Sequence, residues 1–257
     1  MITGRVIVCL DVKDGKTTKG IKFKGNVDIG DPIEMAEKYY KDGVDELVFY
    51  DITASPEKRG IMIDLVEKIA KKISVPFTVG GGIGSIDDIK KVFDAGANKV
   101  SINSLAVKNP SLIEEGASMF GKQAILLGMD ALADAAMPSG YRVVINGGRT
   151  QTELDALEWA QRAEKLGAGE IVLNSIDCDG VKQGYEIKLT RLIATNVGIP
   201  VIASGGAGTL EHLSDAFING KASAVLVASM VHYGDFSIKE IKEYLSKCGI
   251  SANPGKK

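Results

Sequence analysis

A repeat at a fixed offset constrains this chain more than any other feature. Val75-Pro76-Phe77-Thr78-Val79-Gly80-Gly81-Gly82-Ile83-Gly84 returns 124 positions later as Ile199-Pro200-Val201-Ile202-Ala203-Ser204-Gly205-Gly206-Ala207-Gly208. Each copy reads as a short apolar strand, a glycine turn and a helix start, Ser85 to Asp88 in one and Thr209 to His212 in the other. Taken singly, a glycine turn after a strand is only a tight connection. The match continues on both sides of it, however: Gly43 to Phe49 answers Gly167 to Leu173, and Ala95-Gly96 answers Asn219-Gly220, at the same offset. The chain is a duplicated half. A glycine turn that lets backbone approach a ligand, followed by a helix N-terminus with free N–H groups, makes a phosphate seat. Two seats predict one substrate with a phosphate at each end.

Between the repeats, strand and helix signals alternate. Arg5 to Leu10 is a nearly continuous apolar run, the signature of a strand buried on both faces, and it ends on Asp11. Residues 13 to 31 read as a long polar loop, a candidate flap over a site. Asp31-Pro32 caps a helix that Gly43 ends. Further strands are expected at Glu46 to Tyr50, from Pro76, at Lys99 to Ile102, Ala124 to Met129, Glu170 to Leu173, at the second glycine turn, and at Ala224 to Val227. Helices are expected over Ile61 to Lys72, from near Pro110, and through Leu154, Leu157, Trp159, Ala160 and Ala163. Tyr141 to Ile145 alternates like a hairpin strand, with Gly147-Gly148 as its turn. Eight strands in strict alternation with helices predict a closed (β/α)8 TIM barrel built from two (β/α)4 halves, about 1–121 and 122–257, forming a single domain over 1–257. A doubly wound open sheet is the alternative, and a duplicated four-strand half closes more naturally.

A chain of 257 residues with 45% hydrophobic content can bury one large core. A net charge of −2 speaks against a nucleic-acid surface, which needs clustered Lys and Arg. Cys9, Cys178 and Cys248 are odd in number and far apart, so no disulfide framework or zinc spacing can be drawn, and His212 and His232 are too few for a metal site. No metal or other cofactor is expected. No apolar run reaches membrane-spanning length, and no signal peptide is evident, so a cytoplasmic location and no membrane partner are expected.

In a barrel the strands' C-terminal ends carry the chemistry. Asp11 and Asp130 fall there at matching places in the two halves, and two carboxylates can serve as general acid and base if their surroundings drive their pKa values apart. A lone aspartate at such a place is as readily a turn or cap residue; the symmetric pair favours catalysis.

The motifs now resemble a known family. Cys9-Leu10-Asp11-Val12-Lys13-Asp14-Gly15 with Lys19-Gly20, Gly30-Asp31-Pro32, Asp51-Ile52-Thr53-Ala54-Ser55, Val79 to Ile83, Lys99 to Asn103, Ser175-Ile176-Asp177 with Asp179-Gly180, and Ala203 to Gly208 are similar to the cyclase subunit of imidazole glycerol phosphate synthase, in order and over essentially the whole chain. The resemblance implies a lyase and cyclase that joins ammonia, released from glutamine by a separate glutaminase subunit, to a bis-phosphorylated ribulosyl aminoimidazole carboxamide nucleotide. The products are imidazole glycerol phosphate and aminoimidazole carboxamide ribotide. It implies catalytic roles for Asp11 and Asp130 and substrate contacts at Lys19, Asp51, Gly82, Asn103 and Ser104. In the second half, contacts are implied at Asp179, Gly180, Gly205, Gly206, Ala228 and Ser229. Arg5, Glu46, Lys99 and Glu170 match a charged ring through which ammonia enters, on the N-terminal face where the glutaminase docks as a heterodimer.

Val27, Asn98, Ala131-Leu132-Ala133 and Cys178 depart from the family's usual residues, three of these sites losing charge near the substrate and Asn98 losing it on the partner face. Alternatives are a paralogue that passes ammonia to another phosphorylated or nucleotide-sugar substrate, and a phosphate-binding barrel without catalysis. Retained Asp11, Asp130 and Lys19 oppose the second. No residues for glutamine hydrolysis are evident, since Cys9 lies inside a strand with no histidine near it in sequence.

Overall fold

A computed structural model describes residues 2–21, 24–54 and 60–252. The chain opens with β1 (Ile2–Lys13), extended by an antiparallel ribbon of β2 (Lys16–Ile21) and β3 (Lys24–Gly30). β4 (Glu46–Asp51), β5 (Phe77–Gly80) and β6 (Lys99–Ile102) follow, and β7 (Ile125–Ala133) runs into a second antiparallel pair, β8 (Tyr141–Ile145) and β9 (Thr150–Asp155). β10 (Glu170–Ser175), β11 (Val201–Ser204) and β12 (Ala224–Val227) complete the series, and β13 (Ile250–Ala252) pairs in parallel with the start of β1. Eight of these strands are parallel neighbours in the order β10, β11, β12, β1, β4, β5, β6, β7, and β7 pairs back with β10. The sheet closes on itself as a (β/α)8 barrel, and β1 and β7 lie diametrically opposite.

The period-2 geometry of a strand sorts side chains into two cores. On β1, Val6, Val8, Leu10 and Val12 pack outward under the helices, whereas Ile7 and Cys9 face inward with Val48, Leu126, Val172, Ile202, Ala224 and Leu226. The same inward register puts Arg5 at the bottom of the barrel and Asp11 at its mouth. Helices over 32–41, 63–70, 86–94, 111–120, 156–166, 187–194, 210–218 and 238–247 cover the outer core. Several are set by their caps. Asp31 accepts from the Ile33 and Glu34 amides ahead of Pro32, Ser85 accepts from the Asp88 amide, and Thr209 forms a capping box with His212.

The duplication is visible in the backbone. Gly81 and Gly82 have φ of 90° and 70°, and their counterparts Gly205 and Gly206 have 84° and 112°. Asn103 (φ −121°, ψ −98°) and Ala228 (φ −141°, ψ −83°) share an uncommon conformation before the short helices Ser104–Lys108 and Ser229–His232.

Two expectations need correction, and two short helices come in addition. The expected loop over residues 13 to 31, of which 22 and 23 lie outside the described residues, is instead largely the β2–β3 ribbon, because β1 continues past Asp11 and templates it; Thr17 and Thr18 are fully buried there, with the Thr18 hydroxyl donating to the Val27 carbonyl at 3.0 Å. Leu154 belongs to β9 rather than to the helix, since Asp155 accepts from the Leu157 and Glu158 amides and so starts the helix at Ala156. The two short helices were not foreseen, being too brief to show a 3.6-residue period.

Candidate active site

At the C-terminal ends of the strands lies a cavity of about 320 Å³. Asp11, Lys19, Asp51, Gly82, Asn103, Ser104, Asp130, Asp179, Gly180, Gly205, Gly206, Ala228 and Ser229 all line it, so the residues singled out from the sequence for this face converge on one chamber. Both glycine turns border it. A Cβ on Gly81 would strike the Asp51 carbonyl, and one on Gly206 the Gly184 carbonyl, so positive φ and close backbone approach both require glycine there.

The two carboxylates occupy different surroundings. Lys19 reaches from the ribbon to place its Nζ 2.8 Å from Asp11 Oδ2, and the Cys9 thiol stands 3.4 Å from Oδ1. Burial opposes the charge on Asp11, but the Lys19 ammonium beside it outweighs that and holds the carboxyl below its ordinary range. Among the described residues no cation pairs with Asp130. Its Oδ2 accepts from Asn103 Nδ2 at 2.8 Å and its Oδ1 from Asn174 Nδ2 at 3.1 Å. Burial dominates there, and the charges of Asp179 and Asp11 add to it, so Asp130 is pushed up to about 6 despite the two amides. Asp11 stays ionised; Asp130 exchanges its proton near neutrality. This divergence is what divides acid and base work between two carboxylates.

Other groups complete the chamber. The Asp51 carboxylate caps its own turn, accepting from the Ala54 amide at 3.0 Å. Lys13, Arg149 and Lys182 also line the chamber, Lys182 with its ammonium 2.6 Å from Asp235, whereas the departures at Ala131 to Ala133 and Cys178 bring no charge. Ala133 N–H donates to Asp177 at 2.9 Å, and Asn98 Oδ1 accepts from the Phe77 amide at 2.9 Å, so at both places the backbone is tied down. Val27 is 63% exposed on the ribbon.

Below the chamber most inward residues are apolar, Ser101 and Thr78 excepted, and below those comes a closed ring of charge. Arg5 pairs with Glu46 at 2.9 Å and with Glu170, and Lys99 pairs with Glu46 at 2.7 Å and Glu170 at 3.1 Å. Thr78 Oγ1 adds a bond to Glu46 at 3.1 Å. Two cations alternate with two anions, so the buried charges compensate one another.

Sequence reading missed Asn174, Tyr50, Ser101 and His232. For the first three the signal was the period of two: counting upward in steps of two from Glu170, Glu46 and Lys99 lands on Asn174, Tyr50, and Ser101 with Asn103. His232 left no such trace. Its ring lies between Tyr39 OH (2.7 Å from Nδ1) and the Cys9 carbonyl (2.9 Å from Nε2), which puts the proton on Nε2, since a carbonyl only accepts. Burial pushes His232 down to about 4, so it is neutral. It bonds the Cys9 backbone rather than the thiol, and burial and Asp11 hold that thiol far above its usual range; no nucleophilic Cys-His pair forms here. Among the described residues no cluster of His, Cys, Asp and Glu could hold a metal, and no helix is long and apolar enough to cross a membrane.

Fold and chamber define a (β/α)8-barrel protein with a divergent pair of carboxylates at its C-terminal face. The family model described as "Histidine biosynthesis protein" matches residues 5–237. Imidazole glycerol phosphate synthase subunit HisF of Desulfatibacillum aliphaticivorans is 63% identical over 254 residues, covering 98% of each chain. The protein of the same name from Syntrophobacter fumaroxidans is 60% identical over 253 residues, 97% of this chain and 98% of its own. This chain belongs to that histidine-biosynthesis family, among the HisF subunits of imidazole glycerol phosphate synthase.

Proposed function

We propose that the chain is the cyclase that condenses ammonia with the bis-phosphorylated ribulosyl aminoimidazole carboxamide nucleotide, releasing imidazole glycerol phosphate and aminoimidazole carboxamide ribotide. The observation that carries this is the pair Asp11 and Asp130, opposed across one chamber with pKa values driven in opposite directions. Imine formation and ring closure need proton transfers at both ends of the reacting fragment, and a carboxylate that titrates near neutrality is well placed to move them. The glycine turns at Gly81-Gly82 and Gly205-Gly206, with the backbone at Asn103 and with Ser104, Gly180 and Ser229 beside them, seat the two phosphates. Lys19 holds the ribbon over the substrate, and Asp51 and Asp179 fix the turns around it.

Ammonia, on this reading, arrives from a glutaminase subunit docked on the N-terminal face and passes the ring of Arg5, Glu46, Lys99 and Glu170. That ring is fully paired, so passage requires one of its bonds to open. The chain acts as one domain of two halves that meet near residues 121 and 122. Purified chain supplied with the bis-phosphate and an ammonium salt should release both products in equal amounts, and added cognate glutaminase should co-elute with it on gel filtration and let glutamine replace ammonium. Absence of product at any ammonium concentration would refute the assigned reaction; a barrel that elutes alone at micromolar concentration would refute the docking.

A further inference from the structure

Two inward residues of β6 and the residue just past its end form a polar line from the bottom of the barrel to its mouth, where most of the other strands place apolar groups at mid-height. Lys99 belongs to the charged ring, Ser101 Oγ is 3.0 Å from Tyr50 OH, and Asn103 stands beside Asp130. Gly128 on the adjacent strand makes room for this line: a Cβ there would come within 2.9 Å of Ser101 Oγ and 3.3 Å of Asn103 Cβ.

The two amides that hold Asp130 are not equivalent. An ionised carboxylate only accepts, so both asparagines must turn their NH2 groups toward it, and each is left with its carbonyl oxygen pointing elsewhere. For Asn174 that oxygen has a donor, Ser204 Oγ, at 3.3 Å. Asn103 Oδ1 has none: it is buried without a hydrogen-bond partner, one of three such side-chain atoms among the described residues. A buried acceptor without a donor costs about 1–3 kcal/mol, so a donor brought into the chamber by the reaction is stabilised there. Phosphate oxygens cannot be that donor, because they accept as well. A substrate O–H or an N–H can supply it, and the N–H is favoured because this oxygen stands next to a carboxylate that can take up a proton, at the top of a polar line that leads up from the charged ring.

We propose that Asn103 Oδ1 receives the incoming ammonia, accepting one of its N–H bonds and aiming its lone pair at the substrate while Asp130 stands ready for the proton lost on addition. The side chain of Asn103 is on this view a binding group for the nucleophile, distinct from any backbone role at the phosphate. The inference rests on the cyclase reading above, and it adds a nitrogen site to it.

The test is steady-state turnover at one fixed alkaline pH and constant ionic strength, varying ammonium chloride at saturating bis-phosphate and then the reverse. Asn103→Ala should raise the half-saturating ammonium concentration about five- to tenfold, the effect of one lost hydrogen bond, with KM for the bis-phosphate within about twofold. Asn174→Ala removes the other amide from Asp130 without touching the proposed acceptor, so it should lower kcat with little change in ammonium half-saturation. Asn103→Asp keeps an acceptor oxygen but sets a second carboxylate against Asp130, so it should lower kcat while staying closer to wild type in ammonium half-saturation than Asn103→Ala; Asn103→Ser, which keeps a hydroxyl acceptor without that charge, covers the case where the alanine variant is too slow to measure. An Asn103→Ala effect confined to the bis-phosphate KM would assign the side chain to a phosphate instead. Equal effects of Asn103→Ala and Asn174→Ala on ammonium would reduce Asn103 to a positioning residue for Asp130. Either result overturns the inference while leaving cyclase activity intact, whereas wild-type protein that turns nothing over refutes the underlying reaction.

Discussion

Replacing Asp130 with asparagine should cripple catalysis yet make the protein more stable at neutral pH. The carboxyl titrates at about 6 in the fold against an ordinary value of 3.8. A folded-state pKa above the unfolded one means that the folded protein binds the extra proton between those values. The associated stability is therefore complete below about pH 3.8, declines as pH rises, and is gone above about 6. The gap corresponds to about 3 kcal/mol that the ionised carboxylate costs at pH 7, since one pKa unit is about 1.4 kcal/mol. Asparagine has one acceptor for the two amides that now face Asp130, but Asn103 can turn its unpartnered Oδ1 toward the new NH2, so the swap loses little hydrogen bonding. Chemical denaturation of wild type and Asp130→Asn across pH 4 to 8 should give curves that converge at the acid end and separate by about 2–3 kcal/mol at neutrality, the variant being the more stable. Parallel curves, or a variant less stable at pH 7, would show that Asp130 is not held in a charge-disfavouring site and would remove the physical basis for its acid–base role.

Asp11 should behave oppositely. Asp11→Asn strands the Lys19 ammonium, so it should destabilise the fold at neutral pH, and the difference from wild type should shrink as pH falls below the ordinary carboxylate range; acid-to-neutral denaturation series would show it. His232 is held neutral, so the wild type should lose stability as pH drops from about 6.5 toward about 4, and His232→Gln should flatten that loss. Lys99→Met leaves Glu46 and Glu170 sharing Arg5 alone and should cost about 3 kcal/mol in unfolding free energy; a loss below about 1 kcal/mol would mean the ring is not held together by its ion pairs. Gly206→Ala must drive a Cβ into the Gly184 carbonyl at a φ of 112°, and should raise KM for the bis-phosphate more than it lowers kcat.

Much of this architecture was legible because duplication doubles every signal. The strands Lys99–Ile102 and Ala224–Val227 were placed to the residue, and the glycine turns revealed both ends of the chamber. What escaped was whatever depends on a neighbour remote in sequence. The ribbon after Lys13 forms because β1 offers its edge, which polar composition alone does not announce. His232 meets the Cys9 carbonyl across 223 positions, and no local pattern encodes that. Asn174 was recoverable in principle from the inward register of Glu170, but its importance lies in which oxygen of Asp130 it holds, and only the closed barrel decides that.

In the proposed reaction Asp11 and Asp130 are the groups that move protons, and the most direct measurement is ammonia-dependent turnover of the bis-phosphate by Asp11→Asn and Asp130→Asn. Each variant should fold, should keep its KM for the bis-phosphate within a few-fold of wild type, and should lose about two to four orders of magnitude in kcat. Turnover within a few-fold of wild type in both would make the pair structural and contradict the assignment.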